Sequence, residues 1–162
     1  MRKLLIGVAL LAALAWVGWQ VVAKEQVVAT SRPVFFALGV RDPRSLIQGD
    51  YMALNYEIVQ MVAKPDGIAT PVRGALAVTV DGDGVARSAR ILTADTPLGH
   101  DEVRVAYHTG RGQMVVGPES FFFQEGMDST FTAARYAELR VAPDGEVLLV
   151  SLRDAQMTAL GR

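Results

Sequence analysis

The feature that most constrains this fold is the spacing of turn signals beyond residue 33. Asp42-Pro43-Arg44-Ser45, Lys64-Pro65-Asp66-Gly67, Asp81-Gly82-Asp83-Gly84, Gly110-Arg111-Gly112 and Pro143-Asp144-Gly145 punctuate the chain. Gly supplies positive φ, Pro pre-sets the first turn residue and Asp bonds its own backbone. The runs between them are short, and several alternate at period two, as half-buried strands do. Leu76, Val78 and Val80 alternate with Ala75, Ala77 and Thr79, and the pattern resumes over 85–92 beyond the Asp-Gly turn. That predicts a β-hairpin. Val103, Val105 and Tyr107 alternate with Arg104, Ala106 and His108. Residues 34–40, 114–116 and 121–123 are further strand candidates, and 139–141 with 147–152 predict a last hairpin. Asp128-Ser129 opens a short helix running to about Arg135. Some nine short strands, with turns roughly every 8–12 residues, predict a mainly all-β domain. Its form is a small antiparallel β-sandwich or partly open barrel with one short helix.

One octapeptide stands out: Gly49-Asp50-Tyr51-Met52-Ala53-Leu54-Asn55-Tyr56. Met52, Leu54, Tyr56 and Ile58 share one parity; Tyr51, Ala53, Asn55 and Glu57 share the other. The alternation predicts a half-buried strand running on to Met61. Gly49 and Asp50 read as a turn opening that strand, with the Asp carboxylate accepting backbone N–H bonds. Tyr56 belongs with the core, its hydroxyl at the rim. Tyr51 is left for a surface contact or for a covered second layer.

The N-terminus follows other rules. Arg2 and Lys3 precede an uncharged stretch over 4–23, closed by Lys24 and Glu25. Twenty helical residues span about 30 Å, the hydrocarbon thickness of a bilayer. Trp16 and Trp19 sit near its end, where such rings favour the membrane interface. The basic tip predicts a cytoplasmic N-terminus and an exported remainder. The expected layout is a tip and transmembrane anchor over 1–24, a tether over 25–33, a β-domain over 34–153 and a frayed helical tail over 154–162. A cleaved signal peptide is the other reading, with Ala13-Leu14-Ala15 as an A-x-A site.

Composition excludes several function classes. Sixteen basic and seventeen acidic residues leave a net charge of −1, so no positive surplus exists for nucleic acid. The chain has no cysteine, which removes disulfides, thiol nucleophiles and thiolate metal sites. His100 and His108 flank Asp101 and Glu102 at a spacing that fits no standard metal site. No cofactor and no metal are expected.

The octapeptide and its surroundings resemble the GDYXXLXY family of bacterial membrane-anchored proteins. Asp42-Pro43-Arg44-Ser45-Leu46 resembles the family's approach to the motif. Gly117-Pro118-Glu119-Ser120-Phe121-Phe122-Phe123-Gln124-Glu125-Gly126 resembles its second signature, an aromatic segment ending in Glu-Gly. The resemblance covers most of 34–152. It implies a bacterial inner-membrane protein with one N-terminal anchor and a small domain in the periplasm or outside. It also implies a multi-pass membrane protein as partner, and no particular reaction.

Two functions compete on this sequence. The leading one is a non-enzymatic, membrane-tethered binding domain. Its candidate contacts are Arg44, Gly49, Asp50, Tyr51, Leu54, Tyr56, Phe122, Glu125 and Gly126. The other is an envelope hydrolase using Asp50 and Glu125, with Arg44 beside them, which requires those side chains to share one pocket. A ligand sensor opening like a small lipocalin is a third reading. Any activity belongs where the octapeptide meets the Phe121–Gly126 segment.

Overall fold

The computed structural model describes residues 2–39, 51–63, 71–93, 96–110 and 112–161. The chain divides into two compact units, Met1–Ser31 and Arg32–Arg162. The first is α1, Arg2–Thr30, a 29-residue helix. At helical rise it is about 43 Å long, and it is long and apolar enough to cross a membrane. Residues 25–30, expected as tether, continue the helix. Lys24, Glu25 and Gln26 are good helix formers, and no helix breaker intervenes before Pro33.

The second unit is built from β1 (Pro33–Ala37), β2 (Tyr51–Ala53), β3 (Val62–Ala63), β4 (Arg73–Val80), β5 (Ala86–Leu92), β6 (Glu102–Gly110), β7 (Gln113–Val116), β8 (Ser120–Phe122), β9 (Tyr136–Val141) and β10 (Val147–Arg153). One helical turn, α2 (Asp128–Phe131), precedes β9. The expected helix to Arg135 ends early: Ala134 N–H turns back to Phe131 O, and Arg135 is drawn into the sheet's hydrogen bonding, where Leu38 N–H donates to Arg135 O and Arg135 N–H donates to Arg153 O. The strands form a five-stranded sheet ordered β3-β5-β4-β6-β7, a three-stranded sheet β1-β9-β10 and a ribbon β2-β8. Pairing is antiparallel except for β3 against β5. Phe35 N–H donates to Gly84 O and Ala106 N–H donates to Gly145 O, stitching the two larger sheets at separate places. Together they curl into a half-barrel, as the turn spacing predicts.

The hairpin β4–β5 forms where Asp-Gly chemistry places it. Asp81 Oδ1 accepts the N–H groups of Asp83 and Val85, and its other oxygen pairs with Arg87 Nε at 2.7 Å. The octapeptide strand, by contrast, stops after Ala53 rather than running to Met61. Residues Glu57–Val59 make a 3-10 turn. Even so, Leu54, Tyr56 and Ile58 are all buried, so the inward parity survives the break. The tail is not a frayed helix either. Asp154 Oδ1 accepts the N–H groups of Gln156 and Thr158, reversing the chain. Ala159 then bridges Arg153, and Leu160 N–H donates to Leu152 O.

The core gathers Phe36, Leu76, Val78, Val105, Val116, Leu139 and Leu152, all fully buried. On the opposite face of β9 lies a charge, Glu138, only 4% exposed. It accepts from Ser151 Oγ at 2.7 Å and from Arg153 Nε and Nη2 at 2.9 and 2.7 Å. Arg153 lies over the Phe35 ring, 5.4 Å from its centroid, and a further nitrogen bonds Met157 O in the returning tail. Burial raises the Glu138 pKa, but the Ser151 and Arg153 bonds and the Arg153 and Arg140 charges outweigh it. The net effect holds the carboxyl below its ordinary value.

A folded pKa below the unfolded one stabilises fully above the unfolded value, about 4.3 for Glu, and is lost as pH falls through the folded value. Glu138→Gln should therefore lower stability near neutrality by about 2–3 kcal/mol, since Arg153 keeps partial solvent contact. It should also flatten the loss of stability below about pH 4.3. Urea unfolding across pH checks both; an unchanged acid limb would show that Glu138 is not the group responsible.

Candidate functional site

The two aromatic signatures form one element. Tyr51, Met52 and Ala53 pair with Phe122, Phe121 and Ser120 in β2–β8. Alternation then separates the side chains by face. Tyr51 and Phe122 lie opposite each other with ring centroids 5.8 Å apart, and Phe122 is 71% exposed. Met52 and Phe121 pack against the core. Phe121 and Phe123 both meet Phe131, at 5.1 and 4.9 Å, so α2 completes an aromatic layer beneath the ribbon.

Past Ala53 the motif is fastened differently. Leu54 N–H donates to Glu119 O at 2.8 Å. The Tyr56 hydroxyl donates to Pro118 O at 2.8 Å, and its ring meets Phe36 edge-on at 5.8 Å. Burial pushes the Tyr56 phenol far above its ordinary pKa, so it remains a donor at any physiological pH. Gly117 lets the chain pass here. It has φ +61, and a Cβ would stand 3.3 Å from Val147 and 3.7 Å from the Tyr56 hydroxyl. Beyond this point the two segments diverge like a fork. Residues 54–60 turn away while β7 stays with β6, leaving a groove of about 360 Å³. Leu54, Asn55, Tyr56, Val59 and Gln60 line one side, residues 112–116 the other, and Glu119 the join.

The family model of the GDYXXLXY protein matches residues 13–152, which takes in the ribbon, the fork and the groove. The chain belongs to the GDYXXLXY family. No curated protein and no solved structure gives a significant match to it.

In this GDYXXLXY chain Tyr51, Leu54, Tyr56 and Phe122 thus come together with the second signature. Leu54 and Tyr56 hold the structure, while Tyr51 and Phe122 face outward. Arg44, Gly49 and Asp50 lie outside the described residues. Glu125 is exposed in the turn after β8, where Met127 N–H donates to Gln124 O and Gly126 takes φ +82. Among the described residues no three His, Asp or Glu side chains converge as metal ligands. His100 is exposed and contacts Asp101 at 3.1 Å.

Sequence reasoning missed the groove and its lining residues Asn55, Gln60, Gln113 and Glu119. A signal was present: Gly117-Pro118 between two short strands marks a place where the chain changes partner, because Pro cannot continue a ladder. It missed Glu138 too, whose role depends on Ser151 and Arg153 across the pairing with β10.

Tyr56→Phe keeps the ring and removes the donor, leaving Pro118 O without its partner. The expected loss is about 1–2 kcal/mol. Thermal melting of the full chain in detergent checks it, and an unchanged melting temperature would mean that apolar packing alone holds the fork.

Proposed function

We propose that this GDYXXLXY protein is a membrane-anchored binding domain that acts with a partner membrane protein, without catalysis of its own. α1 is a single-pass anchor in the bacterial inner membrane, with the basic tip in the cytoplasm and the β-domain in the periplasm or outside. The partner is a multi-pass membrane protein. The observation that carries the reading is the outward pair Tyr51–Phe122. A pair of neighbouring aromatic rings, tilted by 40°, on a two-stranded ribbon, with Phe122 71% exposed, has the character of an interface anchor rather than of a packing element. The ribbon is braced from beneath by Phe121, Phe123 and Phe131, so the pair is presented without an ordering cost.

Truncating an interface anchor costs about 2 kcal/mol, near thirtyfold in affinity. Purification of the full chain from its native membrane in detergent should recover one specific membrane protein. Phe122→Ala and Tyr51→Ala should each reduce that recovery by about this factor. Leu98→Ala, at another exposed apolar position, should leave it intact. Recovery of the same partner at wild-type level by both aromatic variants would remove the basis of the proposal.

A further inference from the structure

The groove beside β7 is bordered by a strand edge that the described fold does not use. β7 is the last strand of the five-stranded sheet. Its hairpin with β6 closes at Gly110 opposite Gln113, across a two-residue loop. The pair closing such a loop exchanges both hydrogen bonds, and bonded and non-bonded pairs alternate from there. His108–Val115 is therefore a bonded pair, whereas Thr109–Met114 and Tyr107–Val116 are not. The far side of β6 agrees: Thr109 N–H donates to Val72 O at 2.8 Å, away from β7. The N–H and C=O groups of Met114, which keeps partial solvent contact, thus point out of the sheet edge, and those of Val116 lie on the same side but under cover, the residue being 2% exposed. Among the described residues no backbone group pairs with them. The groove runs along this edge, with Leu54, Val59 and Gln60 across it.

We propose that a short extended peptide segment of the partner lies in this groove and adds to β7 as a strand. The inference rests on the binding-domain reading and names the chemistry that the domain binds. The outward N–H and C=O of Met114 match one residue of an extended backbone, and the next rung, at about 6.7 Å, falls at the covered end of the strand beside Val116. Backbone bonds then supply affinity, and the apolar and amide side chains of the walls, Val59 and Gln60 among them, select alternate residues of the ligand. Charge sets the flank. Glu119 is exposed at the join, and no Lys or Arg lines the groove among the described residues. The peptide therefore carries a Lys or Arg beside its apolar residues. The edge is four residues long, and Gly112 and Gly117, with φ +77 and +61, bend the chain away at either end. The added strand is correspondingly short.

The probe is a linear peptide selected from a randomised display library against the full chain in detergent micelles. Selected sequences should share a basic residue next to a short apolar core. N-methylation of the peptide backbone should lower affinity about tenfold at the core residue that pairs with Met114 and leave it unchanged at that residue's two neighbours. Met114→Pro removes an outward N–H without touching the bonds to β6, a placement that edge strands tolerate. It should lower affinity about tenfold. Gln60→Trp fills the groove from the other wall and should do the same, which covers any distortion of β7 by the proline. Failure to select any peptide, uniform tolerance of N-methylation, or wild-type binding by Gln60→Trp would overturn the proposal. If the groove fails while partner recovery still depends on Tyr51 and Phe122, the binding-domain reading stands without it. If peptides show this N-methylation pattern while recovery ignores both aromatics, the groove stands and the aromatic anchor falls.

Discussion

The hydrogen bond from the Tyr56 hydroxyl to the Pro118 carbonyl joins residues 62 positions apart, and the ribbon, the fork and the groove are laid out around it. With the Leu54–Glu119 backbone bond it decides where the ribbon ends and where the fork begins. Tyr56 can do this because its ring is part of the core, against Phe36, while its oxygen reaches the chain that leaves β7. A phenylalanine would pack and not fasten; a serine would do neither. Gly117 is the complementary requirement, since a side chain there would occupy the space between Tyr56 and Val147.

Much of this fold is legible from local chemistry, and what is not depends on distant partners. The Asp81–Gly84 hairpin follows from Asp side chains bonding their own backbone, an effect complete within a few residues. The inward set Leu54, Tyr56 and Ile58 follows from burial parity, which holds although the strand breaks. The break itself is set by Glu119 and Pro118, which no window around residue 54 contains. The same holds for the tail, reversed by Asp154 and tied to Leu152, and for Glu138, a charge tolerated in the interior only because Arg153, Arg140 and Ser151 converge on it. Of the site residues, Tyr51 and Phe122 were singled out separately from the sequence; their contact came from a register that sequence alone does not fix.

The family motif therefore has two halves with different duties. Leu54 and Tyr56 are fixed by the core and the fork, and their replacement would be felt as stability. Tyr51 stands on the outer face with Phe122, the face we propose for recognition. The motif's Leu54 and Tyr56 serve the scaffold, and Tyr51 is left to face outward. The proposed membrane attachment would suit such an arrangement, since confinement to a surface raises the effective concentration of a tethered domain near a partner.

The two outer strands of this half-barrel are finished in opposite ways. At β10 the tail doubles back, and Ala159 and Leu160 occupy backbone positions beside Arg153 and Leu152. At β7 no such cover is found among the described residues. Exposed strand edges invite indiscriminate pairing between molecules, and proteins blunt them by shortness, bends and capping chain. β7 carries the first two devices and lacks the third. An edge so shortened is a poor template for aggregation, because too few rungs are offered for a sheet to grow. In the use we propose for it, it accepts a few residues of one chain. The fold thus separates two hazards usually solved together: it forbids runaway self-association at one margin and keeps a small, bounded opening at the other.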